Sequence, residues 1–214
     1  MNKGKSFYWV DIVSLLFFTF LSIAAIAMKE ITIFYVIYVF WWDELMKTVF
    51  DLFRYIFKKE EITNQLEYKA AIGSRFFMLF IYFVFIVICF GFIIEWDTRD
   101  SVSKNVGILL FQNVYFNISL ISFTAREMYV YSNKSRDLNQ SLQNIMSKGI
   151  ITLHVSIILG LLLWAVATKK LGSIPIQIEQ YSSVLSIMPF LLIKFLFEWS
   201  EIKSKRKALN KEIL

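Results

Sequence analysis

Residues 76-FFMLFIYFVFIVICFGFII-94 form a run of nineteen consecutive residues without a charged side chain. At a rise of about 1.5 Å per residue, a helix of this length covers about 28 Å, close to the hydrocarbon thickness of a bilayer. Arg75 precedes the stretch and Glu95 follows it, so charges mark both of its ends. The stretch therefore predicts a transmembrane helix.

The composition of the whole chain points the same way. Of its 214 residues, 57% are hydrophobic and 19% are charged, whereas soluble domains have about 45–50% and about 25%. The mean hydropathy is +0.56. These values exclude intrinsic disorder, collagen and coiled coil. A membrane span needs roughly 20 apolar residues. Six such spans, which the apolar tracts described next predict, would take up more than half of the chain and leave no room for a soluble catalytic domain.

Five further apolar tracts predict transmembrane helices, because backbone polar groups in lipid must be paired within their own helix. Asp43 and Glu44 interrupt the second tract, which therefore has the weakest pattern. We predict an all-α fold, a polytopic bundle of about six transmembrane helices that forms a single membrane domain over residues 1–214. The predicted spans are 7–28, 31–57, 75–95, 105–126, 149–168 and 177–199.

The distribution of Lys and Arg predicts the orientation of this bundle. One side of the predicted spans carries 17 of these residues, Arg126 among them, and the other side carries five. Because cytoplasmic loops are enriched in Lys and Arg, we predict a multi-pass protein of the cell inner membrane with both termini in the cytoplasm. An alternative for the first tract is a cleavable signal peptide, since Ala25-Ile26-Ala27 is similar to a cleavage site.

Polar and charged side chains collect in the predicted cytoplasmic half of the spans. A charge at the bilayer centre costs at least about 2.5–3.5 kcal/mol, so we predict that these residues line a substrate or ion path in a vestibule open to the cytoplasm. A structural interpretation stands beside this one, because helical spacing also allows ion pairs within a helix and asparagines often join helices. The candidates are Asp43, Glu44, Lys47, Asn113, Asn117, His154, Lys194 and Glu198.

Two of these residues are also candidates for catalysis, Glu44 as a carboxylate within a span and His154 as a general base. The sequence contains no Gly-rich phosphate loop, Gly-x-Ser-x-Gly motif or His-Glu-x-x-His motif. Its single Cys, Cys89, and its single His exclude an intrachain disulfide and a poly-His metal centre. We therefore predict no metal and no cofactor.

The segment after the last predicted span is basic. A cluster of this kind beside a membrane helix is typical of contact with anionic lipid. We therefore favour contact with lipid or with a protein partner over contact with nucleic acid. The residues of this basic segment are Lys203, Lys205, Arg206 and Lys207.

Three short motifs lie in the second, fifth and last predicted spans: Tyr38-Val-Phe-Trp-Trp-Asp-Glu44, Ile151-Thr-Leu-His154-Val-Ser-Ile-Ile-Leu-Gly160 and Leu191-Leu-Ile-Lys194-Phe-Leu-Phe-Glu198. Together they resemble a bacterial family of multipass membrane proteins of unknown function. The resemblance covers most of the chain, but not the histidine pairs that such relatives carry in their middle spans. A second, weaker resemblance, in size, topology and composition, is to the small multipass accessory proteins that accompany RNA-targeting CRISPR nucleases.

These features are consistent with three functions. The first is a membrane accessory or effector protein, either an oligomeric pore or a link between the membrane and a cytoplasmic partner such as a defence nuclease. The second is a small proton-coupled transporter, and the third is an intramembrane enzyme in which His154 acts as a base on a lipid or peptide. The expected partners are the lipid bilayer and either a second copy of the chain or a cytoplasmic protein.

Overall fold

The computed structural model describes residues 3–27, 32–62, 64–93, 99–132, 148–167, 189–200 and 202–203, and the fold over these ranges is all-α. The predicted fold class is confirmed, whereas the number of spans and the side of the termini stay predictions. A 3-10 turn over Lys59–Glu61 follows the second helix, and a π-helix over Ile86–Ile93 continues the third. The helices are α1 (Lys3–Ala27), α2 (Ile33–Phe57), α3 (Gln65–Phe85), α4 (Arg99–Leu109), α5 (Val114–Ser132), α6 (Lys148–Ala167) and α7 (189–200).

Two helical segments of the described chain are long and apolar enough, by length and composition, to cross a membrane. They are Gln65–Ile93 and Asp100–Ser132. Two shorter apolar segments, Ile12–Ala24 and Gly149–Leu162, lie in α1 and α6. The predicted last span is described only from residue 189 onward, so residues 177–188 lie outside the described ranges.

The central helix is α2, which contacts α3, α5 and α6. Every residue from Phe34 to Trp41 is buried, so this part of the helix has no exposed face. A helix that is apolar on all sides is typical of an element surrounded by others. The tract with the weakest hydropathy pattern therefore forms the core of the fold, and its carboxylates Asp43 and Glu44 are buried inside the bundle.

Aromatic rings fill the space around α2. Tyr38 stacks on Trp41, with ring centroids 5.7 Å apart, and on Phe116 of α5, with centroids 5.4 Å apart. The indole N–H of Trp41 donates to the carbonyl oxygen of Leu79 in α3 over 2.7 Å, so this buried donor is satisfied. These contacts fix the rotation of α2 about its own axis and thereby set the direction of Asp43, two residues after Trp41.

The prediction of one uninterrupted helix over 105–126 is corrected, because the chain breaks between α4 and α5. At the break Phe111 has a φ of 58°, a left-handed conformation that is uncommon for residues other than glycine. The Asn113 side chain accepts a hydrogen bond from Phe116 N over 2.9 Å, and Asn117 Nδ2 donates to Phe111 O over 2.7 Å. Asparagine is favoured at such caps because it satisfies free backbone groups, a preference that hydropathy does not detect.

A buried asparagine joins α4 to the π-helix and to the start of α2. Asn105 has no exposed surface, and its Nδ2 donates to the carbonyl oxygens of Gly91 and Phe90 over 3.2 and 3.4 Å. Its Oδ1 accepts from the Thr32 hydroxyl over 2.7 Å, and that hydroxyl in turn accepts from Tyr35 N. A π-helix is rare and often lies at a functional position. Here Asn105 satisfies two of its carbonyl groups.

Candidate functional site

The centre of the candidate site is the carboxylate of Asp43, which is 1% exposed. Its Oδ1 accepts a hydrogen bond from Arg126 Nη2 of α5 over 2.6 Å. Its Oδ2 accepts from Lys194 Nζ of α7 over 2.7 Å and from Lys47 Nζ of α2 over 3.2 Å. We call these four residues the Asp43 cluster. One carboxylate thus binds cations from three helices, and hydrogen bonds between ions are about twice as strong as those between neutral groups.

Carboxylates at helical spacing extend the Asp43 cluster. Glu44 lies three residues before Lys47, and its Oε1 accepts from Lys47 Nζ over 2.8 Å. In α7, Glu198 lies four residues after Lys194, with 2.6 Å between Oε1 and Nζ. These pairs follow from the spacing of three or four residues that brings side chains together on a helix. The contacts of Asp43 with α5 and α7 do not follow from any such spacing.

The first turn of α6 packs directly onto Glu44. A Cβ atom added at Gly149 would overlap the Glu44 carboxyl group, so a side chain at position 149 requires Glu44 to move. Glu44 is itself buried. Gly149 therefore permits the close approach of α6 to α2, which is a common reason for glycine in a packed helix.

A small cavity lies beside the Asp43 cluster. Its volume is about 10 Å³, which is room for about one water molecule. Carboxylates and amines line one part of it, and aromatic rings line another. The lining residues are Phe40, Asp43, Glu44, Lys47, Gly149, Thr152, Lys194, Phe197 and Glu198.

Five of the predicted site residues thus lie together, and the other three lie elsewhere. Asn113 and Asn117 cap the break between α4 and α5. His154 is exposed, and its Nδ1 lies 3.1 Å from the hydroxyl of Tyr82 in α3. The residues that lie together are Asp43, Glu44, Lys47, Lys194 and Glu198. Of the basic segment, Lys203 is exposed and 205–207 lie outside the described residues.

The site residue that the sequence did not predict is Arg126, which is the last residue of the predicted span 105–126 and counts among the cations of the predicted cytoplasmic side. Because the helix runs from Val114 to Ser132, Arg126 lies inside it and not at its end, and it is 9% exposed. Its Nη2 also lies 3.1 Å from Glu127 Oε1. Six more residues of the helix follow Arg126, and the apolar Met128 and Val130 among them were the signal in the sequence that the helix continues beyond residue 126.

A second buried ion-pair group lies closer to the end of α2. Asp51 Oδ1 accepts from Arg54 Nη1 over 2.5 Å, and Asp51 Oδ2 accepts from Arg75 Nη1 of α3 over 2.9 Å. All three side chains are buried. This group joins α2 to α3 and shares no residue with the Asp43 cluster.

The comparison with protein families gives one result. Residues 1–212 match the model of a family of unknown function, DUF6498, and the predicted membership of an uncharacterised family is confirmed. No curated protein and no solved structure matches the chain. The chain therefore belongs to the family of unknown function DUF6498.

Proposed function

We propose that the protein is an integral membrane protein of the accessory or effector type that alters membrane permeability, alone or with a cytoplasmic partner. The observation that carries the proposal is the Asp43 cluster, in which one buried carboxylate binds cations from α2, α5 and α7. Charged residues inside a membrane are expensive and are retained mainly where a function needs them. We propose that the Asp43 cluster controls the packing of these helices.

The proposal includes a multi-pass topology with both termini in the cytoplasm of a bacterial inner membrane. The bias of Lys and Arg, 17 to five, supports this orientation. The outer faces of α1 and α3 support the membrane location, because Phe20, Phe77 and Phe80 are between 64% and 67% exposed. Large exposed apolar surfaces of this kind suit contact with lipid.

The control would act through the cost of buried cations that have lost the carboxylate they share. Removal of the Asp43 charge would take from Arg126 and Lys194 the carboxylate that they share, while the contacts of Arg126 with Glu127 and of Lys194 with Glu198 would remain. Breaking a buried ion pair in this way costs about 3–5 kcal/mol. The helices α5 and α7 would then lose the ionic connection to α2 that Asp43 makes, and the small cavity beside the Asp43 cluster would widen into a path.

The test is the release of ions and of a small fluorescent dye from liposomes that contain the purified full chain. We expect Asp43→Asn to release them several times faster than the wild type. Asp100→Asn, which removes an exposed carboxylate of α4, is the matched control and should behave like the wild type. Wild-type and Asp43→Asn liposomes that are both as tight as protein-free liposomes would contradict the proposal.

A second candidate function is a small proton-coupled transporter. The water-sized cavity favours it, because Glu44 and Glu198 line this space together with Lys47. Accumulation of a solute against its gradient, driven by an imposed pH difference and lost in Glu44→Gln, would favour transport over leakage. The enzymatic alternative has less support, since the described partner of His154 is Tyr82 and not a carboxylate.

A further inference from the structure

The ammonium group of Lys194 is surrounded by aromatic rings as well as by carboxylates. Its Nζ lies 4.8 Å from the ring centroid of Phe40, 5.3 Å from that of Phe18 and 5.7 Å from that of Phe123. All three distances are within the range of about 6 Å over which a cation is attracted to an aromatic face. Two carboxylates complete the surroundings of Nζ, Asp43 at 2.7 Å and Glu198 at 2.6 Å.

The three rings and Asp43 belong to other helices than Lys194, whereas Glu198 lies in α7 with it. Phe18 lies in α1, Phe40 and Asp43 lie in α2, and Phe123 lies in α5. The rings also contact one another, because the centroid of Phe18 is 6.0 Å from that of Phe40 and 5.6 Å from that of Phe123. We therefore expect the three rings to keep their arrangement when α7 moves or when Lys194 is replaced.

The carboxylate wall is likewise held without Lys194. Asp43 still has Arg126 at 2.6 Å and Lys47 at 3.2 Å as partners, so its position does not depend on α7. Without the lysine amine, the pocket would present three aromatic rings and the carboxylates of Asp43 and Glu198 to whatever enters it. It would also adjoin the small cavity, whose lining includes Phe40 and Asp43.

Rings and a carboxylate together select organic cations. The interaction of a cation with an aromatic face is worth about 2 kcal/mol or more when the cation is desolvated, and pockets of this kind recognise quaternary ammonium groups. Carboxylate, carbonyl and water oxygens suit a metal cation such as Mg²⁺ or Ca²⁺, whereas this pocket combines two carboxylates with the faces of three aromatic rings. The lysine side chain is itself a primary alkylammonium ion.

We propose that the pocket formed by Phe18, Phe40, Phe123 and Asp43 is a binding site for small alkylammonium cations. Lys194 is its resident occupant, and a free alkylammonium ion competes with the lysine for the site. Binding of the free ion displaces α7 from Asp43. This site is a property of the folded bundle, and its test does not depend on whether the protein alters membrane permeability.

The first experiment removes the resident cation and supplies it again. Lys194→Ala in the full chain lacks the atoms of n-propylammonium, so we expect n-propylammonium chloride to raise the Tm of this variant in detergent. At 100 times its Kd the ligand should shift the folding equilibrium about 100-fold. An equal concentration of KCl should have no such effect, and Phe40→Leu in the Lys194→Ala background should lose the response. Equal shifts with KCl, or an undiminished response of the double variant, would overturn the proposal.

The second experiment uses the wild-type protein, so it tests the competition between Lys194 and a free cation even if Lys194→Ala does not fold. Reductive methylation followed by mass spectrometry measures the accessibility of each lysine. We expect tetramethylammonium chloride to increase the methylation of the buried Lys194 several-fold over that in KCl. The exposed Lys203 should be methylated equally in both salts and serves as the internal control. Unchanged methylation of Lys194 would overturn the competition between lysine and free cation.

Discussion

Asp43 Oδ1 and Arg126 Nη2 lie 2.6 Å apart although 83 residues separate them in the chain. Both side chains are buried, and Asp43 also contacts Lys194, 151 residues further along. A single carboxylate therefore holds three segments that are distant in sequence. Because an isolated charge would be costly at this position, each of these residues makes the burial of the others possible.

Replacement of Asp43 should be the most damaging single removal of charge in the described bundle. Asp43→Asn keeps the shape of the side chain but leaves Arg126 and Lys194 without their shared carboxylate. We expect a loss of about 3–5 kcal/mol in the free energy of unfolding, measured by titration with a denaturing detergent. The matched variant Asp100→Asn at the surface should change it by less than about 0.5 kcal/mol. Equal effects of the two substitutions would contradict the proposed importance of Asp43.

Substitution of Gly149 should be costly because of Glu44. Gly149→Ala places a methyl group where the Glu44 carboxyl group lies, and overpacking of this kind costs about 1–3 kcal/mol. In the Glu44→Ala background the same substitution should cost almost nothing. Gly73→Ala is the control, since nothing lies within 4 Å of its added Cβ; it should stabilise α3 by about 0.5–1 kcal/mol. A cost of Gly149→Ala that does not change in the Glu44→Ala background would refute the close packing of α6 on Glu44.

Replacement of Asn105 should destabilise the junction of α4 with the π-helix. Asn105→Ala leaves the carbonyl oxygens of Phe90 and Gly91 and the Thr32 hydroxyl without this partner. An unsatisfied buried polar group costs about 1–3 kcal/mol. Faster hydrogen exchange over Ile86–Ile93 should accompany the loss of stability. Gln112→Ala, at an exposed position nearby, should leave both measurements unchanged; exchange that is equally slow in Asn105→Ala would count against the assigned role.

The predicted orientation can be tested with a single cysteine. In a Cys89→Ser background, Lys203→Cys should react with a membrane-impermeant maleimide only after the cytoplasmic side is exposed. A cysteine at the exposed position Asp100 should react from the opposite side, because the connection between the third and fourth predicted spans is expected to lie outside. Labelling of Lys203→Cys in intact cells would show that this end of the chain lies outside.

The all-α fold could be predicted because it depends on local properties of the chain. The tract 76–94 is an apolar segment long enough to cross a bilayer, and a helix pairs all of the backbone polar groups of such a segment within the segment itself. The pairs of Lys47 with Asp43 and of Lys194 with Glu198 could be predicted for the same reason, since the helical repeat brings residues four positions apart together.

The remaining parts of the site depend on contacts between distant segments. No periodicity brings Arg126 to Asp43, and hydropathy places the fourth helix too early because it does not register the caps made by Asn113 and Asn117. The role of Gly149 could not be predicted from the sequence either, because it depends on the position of the Glu44 carboxyl group against α6. His154 was a candidate because it is the one histidine of the chain. Its described contact is with the hydroxyl of Tyr82 and not with a carboxylate.

The most direct test of the Asp43 cluster is a double-mutant cycle of Asp43→Asn and Arg126→Gln, read as the free energy of unfolding in detergent. Residues in one buried ionic network have interaction energies of about 0.5–3 kcal/mol. We predict a coupling in the upper part of this range, with the double variant less damaged than the sum of the two single variants. Strictly additive effects would contradict the pairing of Asp43 with Arg126 and, with it, the proposed control of helix packing.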